Sequence, residues 1–174
     1  ETASLFGLLE SYLRLEAARM AANGIRLSVI GRRDRMPLPA LAAIRLAERA
    51  TARCRRLHLR IAIDYSARDA ILRAAARSAG RPLSRERFAR LLGAADHSPA
   101  AAPDVDLVIR TGGEQRLSDF LLWESAYAEL LFMSVPWPDF TAGHLAGAIE
   151  EFGRRQRRFG ALPEVSESMS RESA

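Results

Sequence analysis

Two arginines flank a glycine pair in Arg110-Thr-Gly-Gly-Glu-Gln-Arg116, and Leu117 and Ser118 follow directly. Guanidinium groups present planar, bidentate donors that match phosphate oxygens. Gly112 and Gly113 let backbone approach a ligand closely. The run follows Val105–Ile109, which reads as a buried strand, and precedes Leu117–Ala128, which reads as a helix. In open parallel sheets, ligands bind beyond the carboxyl ends of the strands. A helix N-terminus offers free N–H groups and a favourable dipole to an anion. Arg110, Arg116, Ser118 and that helix start would together describe a diphosphate site. The spacing alone equally allows a strand–turn–helix connection with solvated arginines. It is neither a Gly-x-Gly-x-x-Gly fingerprint nor a Walker A loop with its lysine.

Other residues that could carry chemistry are scattered. His58 lies in a strand pattern, His97 in a loop and His144 near a helix start, without metal-ligand spacing. Each reads as structural or solvated. Cys54 is the single cysteine, so no intrachain disulfide can form. It reads as a small residue near a helix end, and it fits a reducing cytoplasm. Phe120, Leu121, Leu122 and Trp123 read as core rather than ligand-facing. All 26 basic residues are arginine, in an alanine-rich chain with net charge +5. That pairing reads as compositional bias, so position rather than count must identify a phosphate site. The arginines are spread along the chain without interleaved aromatics, which argues against nucleic-acid binding.

The elements that must position these residues alternate. Helices are expected over 4–22, 37–54, Ala67–Ala79, Ser84–Leu92, Leu117–Ala128 and Thr141–Arg158, from apolar residues at helical spacing. Ser84 and Thr141 are the expected caps. Strands are expected at Ile25–Ile30, Leu57–Tyr65, Val105–Ile109 and Leu130–Met133, the second and third of them buried. Residues 93–104 read as a loop. This order implies an α/β fold with a mostly parallel central sheet flanked by helices. One domain over 1–160 is expected, with a disordered Ser- and Glu-rich tail over 161–174. No window approaches the length of a membrane span.

Asp106-Leu-Val-Ile-Arg-Thr-Gly-Gly-Glu-Gln-Arg-Leu-Ser-Asp-Phe-Leu-Leu-Trp123 closely resembles the C-terminal signature of undecaprenyl diphosphate synthases, within the cis-prenyltransferase family. The resemblance continues through Ala126-Tyr-Ala-Glu-Leu130, Trp137-Pro-Asp-Phe140 and Arg157-Arg-Phe-Gly160. Upstream it includes Arg26-Leu-Ser-Val-Ile-Gly31 and Ile61-Ala-Ile-Asp-Tyr65. It implies a cytoplasmic homodimer that condenses isopentenyl diphosphate with an allylic diphosphate into a cis-polyprenyl diphosphate. Arg110, Arg116, Leu117 and Ser118 would hold isopentenyl diphosphate. Arg158 and Gly160 would add to that site across the dimer. Glu129 would ligate magnesium for the partner subunit, a role suited to a carboxylate. Peripheral membrane contact would release the product.

The sequence also departs from the family pattern. The Asp-Gly-Asn-Gly-Arg-Trp loop and the Phe-Ser-x-Glu-Asn-Trp stretch, which precede this region in the family, do not occur here, and the first residue is Glu1. A fragment is therefore expected, with its catalytic aspartate loop elsewhere. Asp64-Tyr-Ser-Ala-Arg68 stands where the family reads Asn-Tyr-Gly-Gly-Arg. Gln115 replaces a histidine found in some members. Two alternatives stay open: a non-catalytic accessory subunit of a two-component enzyme, and a branching or cyclising synthase on the same fold.

Overall fold

The computed structural model describes residues 2–98 and 100–155. The expected Arg158 and Gly160 contacts and the 161–174 tail lie outside the described residues. The chain forms two compact units. One comprises Glu1–Asp106 with Arg116–Ala128; the other comprises Leu107–Gln115 with Glu129–Ala174.

The first unit contains α1 (Thr2–Ala22), β1 (Ile25–Ile30), α2 (Leu38–Thr51), β2 (Leu57–Ala62), α3 (Ala67–Ala76) and α4 (Arg85–Ala95). β1 and β2 pair in parallel, with Leu27 opposite Leu59 and Val29 opposite Ile61. Leu13 and Met20 of α1, Leu27 and Val29 of β1, and Ala43, Ile44 and Ala47 of α2 form the main core. Burying each large aliphatic side chain there contributes roughly 1.5–3 kcal/mol. Polar groups tie α2 to β1. The Leu27 amide donates to the Thr51 hydroxyl at 3.0 Å, and the Val29 amide donates to Glu48 Oε1 at 2.9 Å. A smaller core joins Ala70 and Ala74 of α3 to Phe88 and Leu92 of α4. Ser66 and Ser84 cap these two helices through their side chains.

Two expectations fail in this unit. β2 is not buried: Leu57 and Leu59 are exposed. Its apolar content says nothing about whether a neighbour covers it. Residues 117–128 are not a helix but a succession of turns and bends. Ser118, Asp119 and Leu121 have φ of 49°, 64° and 45°, which no right-handed helix can contain. Long-range bonds hold them there. Asp119 accepts from the Ser66 hydroxyl at 2.6 Å and from the Arg68 amide at 2.9 Å, and its carbonyl accepts from the Ala67 amide at 3.0 Å.

The second unit contains β3 (Leu107–Arg110), β4 (Glu129–Phe132), a 3-10 turn at Trp137–Asp139 and α5 (Ala142–Arg154). β3 and β4 pair in parallel, with Arg110 opposite Phe132. The sheet direction is thus parallel throughout, in two pairs of two strands among the described residues. α5 starts with a capping box in which Thr141 and His144 each bind the other's backbone. Phe140 stacks against both Trp137 and His144, each at 5.7 Å between ring centroids.

Candidate diphosphate site

Arg110 ends β3, at the carboxyl edge of a parallel pair. Its carbonyl accepts from the Met133 amide at 2.8 Å, which fixes the backbone there. Its Nε is buried and has no hydrogen-bond partner. A buried donor without a partner costs about 1–3 kcal/mol, so the position favours an acceptor from outside the described residues. Gly112 and Gly113 follow with φ of 83° and 79°. A side chain at either would meet no atom within 4 Å, so backbone conformation rather than crowding selects glycine. Their amides donate to the carbonyls of Val135 and Met133, both at 2.9 Å. The glycine amides are therefore committed to the protein rather than left for a ligand.

Arg116, Leu117 and Ser118 belong to the first unit. Arg116 and Ser118 are exposed and Leu117 is half-buried. Ser118 sits in a left-handed turn, not at the start of a helix. The expected contribution of a helix dipole to this site is thereby removed. Arg116 and Ser118 offer polar side chains in the first unit, and Arg110 offers a buried, unpartnered nitrogen in the second.

Glu129 opens β4 and pairs with Arg155 at 3.1 Å; Arg155 also donates to the Leu130 carbonyl at 3.0 Å. Among the described residues, no three His, Cys, Asp or Glu side chains come together to hold a metal. Glu129 offers one carboxylate, engaged with Arg155 in this chain.

A separate apolar cavity of about 500 Å³ is lined by Leu5, Phe6, Leu9, Met36 and Ile63, with Arg35 and Asp64 also on its wall. Arg35 grips Asp64 through two hydrogen bonds, one of 2.8 Å from Nε. Asp64 has φ of 50°, a conformation Asn also tolerates. The altered Asp64-Tyr-Ser-Ala loop is thus held by an ion pair that the sequence did not signal. Leu5, Leu8, Tyr12 and Leu15 are exposed along one face of α1.

Glu124 was not singled out from sequence, yet it is 8% exposed and its Oε2 has no partner. Burial raises its carboxyl above the ordinary range, nearby Asp96 and Asp104 add to the rise, and Arg60 opposes it. Burial likewise raises the Tyr65 phenol, with Glu124, Asp96 and Asp119 contributing. Trp123 packs its ring on Phe88 of α4 at 4.6 Å, but Trp123 and Phe120 are exposed rather than in the expected core, because no element covers their outer side among the described residues. His58 lies 2.9 Å from the Ser28 hydroxyl on the neighbouring strand, a structural role. Cys54 is a free thiol just beyond α2.

Comparison with known proteins matches the prenyltransferase family described as undecaprenyl diphosphate synthase over residues 1–160. Isoprenyl transferase 1 of Bradyrhizobium diazoefficiens is 54% identical across 98% of this chain and 70% of its own length. An isoprenyl transferase of Wolinella succinogenes is 44% identical across 91% of this chain and 68% of its own length. Among solved structures, a "probable undecaprenyl diphosphate synthase" from Campylobacter jejuni superposes with a TM-score of 0.77 at 36% identity, covering 92% of this chain and 74% of that one. Lavandulyl diphosphate synthase from Lavandula x intermedia, solved with dimethylallyl diphosphate, gives 0.81 at 30% identity, covering 92% and 71%.

Proposed function

The chain belongs to the undecaprenyl diphosphate synthase family and is an isoprenyl transferase of cis-prenyl chain elongation; from that premise we propose that Arg110, Arg116 and Ser118 hold the diphosphate of isopentenyl diphosphate. The observation that carries the assignment is the buried, unpartnered Nε of Arg110 at the carboxyl end of β3. A phosphate oxygen is the acceptor it lacks. The amides of Gly112 and Gly113 have other partners, so the reading gives the work to side chains.

In the condensation, the bond between the allylic carbon and its pyrophosphate breaks. A new bond forms to the terminal alkene carbon, C4, of isopentenyl diphosphate, and a proton leaves C2, so that the double bond moves from C3–C4 to C2–C3. The arginines orient the second diphosphate so that its double bond meets the allylic carbon. The cavity of Leu5, Phe6, Leu9, Met36 and Ile63 is apolar enough to shelter an isoprenoid chain. The exposed apolar face of α1 supports the same use.

Magnesium belongs to the proposal as the metal of this chemistry, with Glu129 as the carboxylate offered to it. The Glu129–Arg155 pair would have to open first. A homodimer, a cytoplasmic location and peripheral membrane contact complete the reading, along with the roles of Leu117, Arg158 and Gly160. No described helix is long and apolar enough to cross a membrane.

The test is Arg110→Ala, measured by titration with isopentenyl diphosphate and by steady-state turnover. We expect affinity to fall about tenfold or more, as for a lost charge-assisted hydrogen bond. Wild-type affinity and wild-type turnover together would sink the assignment.

A further inference from the structure

Beyond the carboxyl end of β1 lies a second cavity, of about 490 Å³, that the reading above does not use. Arg32 and Arg33 enter it from the end of β1, and Arg73 and Arg77 from α3. Asp34 and Asp69 also line it, and His97 stands on its wall with φ of 60°. Four guanidinium groups thus line it; two of them, Arg33 and Arg73, are paired with Glu48 and Asp96.

The arginines differ in how far they are used. Arg32 is held by Asp34, with Nε donating to Oδ1 at 3.0 Å. Arg73 donates to Asp96 at 3.0 Å. Arg33 is half-committed. It pairs with Glu48 at 2.7 Å and donates to the Val29 carbonyl at 2.8 Å, but its Nε is buried with no partner. The Arg77 guanidinium is exposed and makes no hydrogen bond or ion pair among the described residues.

We propose that this cavity is a second anion site, built for a phosphate or diphosphate group, in residues wholly separate from Arg110, Arg116 and Ser118. Donors reach it from two walls, the end of β1 and the flank of α3. That arrangement suits an anion with oxygens on several sides better than a planar carboxylate. The location is the carboxyl edge of a parallel pair, where open sheets take their ligands. His97 reports on the field inside. Burial lowers its imidazole below the ordinary range, and Arg33, Arg73 and Arg77 lower it further against Glu48. A bound anion reverses that field.

The experiment follows the His97 ring by NMR while the chain is titrated with inorganic pyrophosphate, and separately with isopentenyl diphosphate. Binding is expected to raise the His97 pKa. Arg77→Ala removes a side chain with no structural partner, so the fold survives, and it should weaken the His97 response about tenfold or more. Arg116→Ala should leave that response intact, even if it abolishes binding at the other site. A response to pyrophosphate alone assigns the site to the free anion; a response to isopentenyl diphosphate as well assigns it to any diphosphate head. If His97 ignores both ligands, or responds equally in Arg77→Ala, the site does not exist.

Discussion

Both parallel pairs end in a strand that runs into glycine and arginine, yet the two ends are finished differently. β1 runs into Gly31-Arg32-Arg33, and β3 ends in Arg110 before Thr111-Gly112-Gly113. At Gly31, φ is 102° and an added Cβ would stand 2.2 Å from the Ile63 carbonyl oxygen. At Gly112 and Gly113 the same addition meets nothing. Arg33 is bound by Glu48 and by the Val29 carbonyl, whereas the Arg110 side chain makes no hydrogen bond or ion pair among the described residues. Each end keeps a buried Nε without a partner, but Arg33 is otherwise bound to the protein and Arg110 is not. Residue type does not separate them; the bonds already made do.

The largest expected effect tests the end of β1. Gly31→Ala combines a left-handed backbone with a clash against fixed main chain, and should cost about 3 kcal/mol or prevent folding. Gly112→Ala carries only the conformational penalty, about 1 kcal/mol. Denaturant melts of the two variants decide it, and equal losses would break the contrast. Glu48→Ala comes next. It strips Arg33 of its carboxylate and leaves the Val29 amide unpaired, for a loss of about 2 kcal/mol. Arg110→Ala should not destabilise the fold in the same melt and should raise stability by up to about 1 kcal/mol, because no native bond is lost and a buried orphan donor is removed.

A further variant asks whether any orphaned polar atom marks a ligand site. Glu124 Oε2 is also buried without a partner, but it lies at no strand end. We expect it to be a plain cost of folding. Its carboxyl is raised by burial, so its stabilising contribution is present at acid pH, below the ordinary carboxylate range. That contribution is lost as pH rises through the raised value. Glu124→Gln mimics the protonated form and should add about 1 kcal/mol near pH 8 and nothing near pH 4. A Gln variant less stable than wild type at pH 8 would assign Glu124 a charged role instead.

Much of the scaffold was legible in the chain. Helical spacing placed all five observed helices to within a few residues, and Ser84 and Thr141 were correctly read as caps. Strand alternation and the parallel direction were legible too. The failures share a cause. The apolar run of β2 looked buried because a strand carries no record of whether another element covers it. Residues 117–128 carry a helical pattern, but Ser66 and the α3 backbone, about fifty residues away in sequence, hold Asp119 in a left-handed turn. Type and position placed Arg110 at a strand's end, and it does end β3, while the commitment of the glycine amides and of Glu129 came only from three-dimensional partners. Arg33, Arg77 and His97 gave no signal at all, since nothing in their spacing says that they share a cavity.

The Asp119 clasp also bears on the order in which this molecule assembles. Its bonds to Ser66 and Arg68 bridge 53 and 51 residues of chain. Closing a loop of that size costs about 3.5 kcal/mol of chain entropy beyond a constant, more than one such bond returns. The turn that holds Ser118 can therefore close only once β2 and α3 are in place to receive it. The arginine and serine beside it take up their positions after the scaffold rather than with it. A turn of this kind is set by the last contacts to form and is the first to be lost when those contacts weaken.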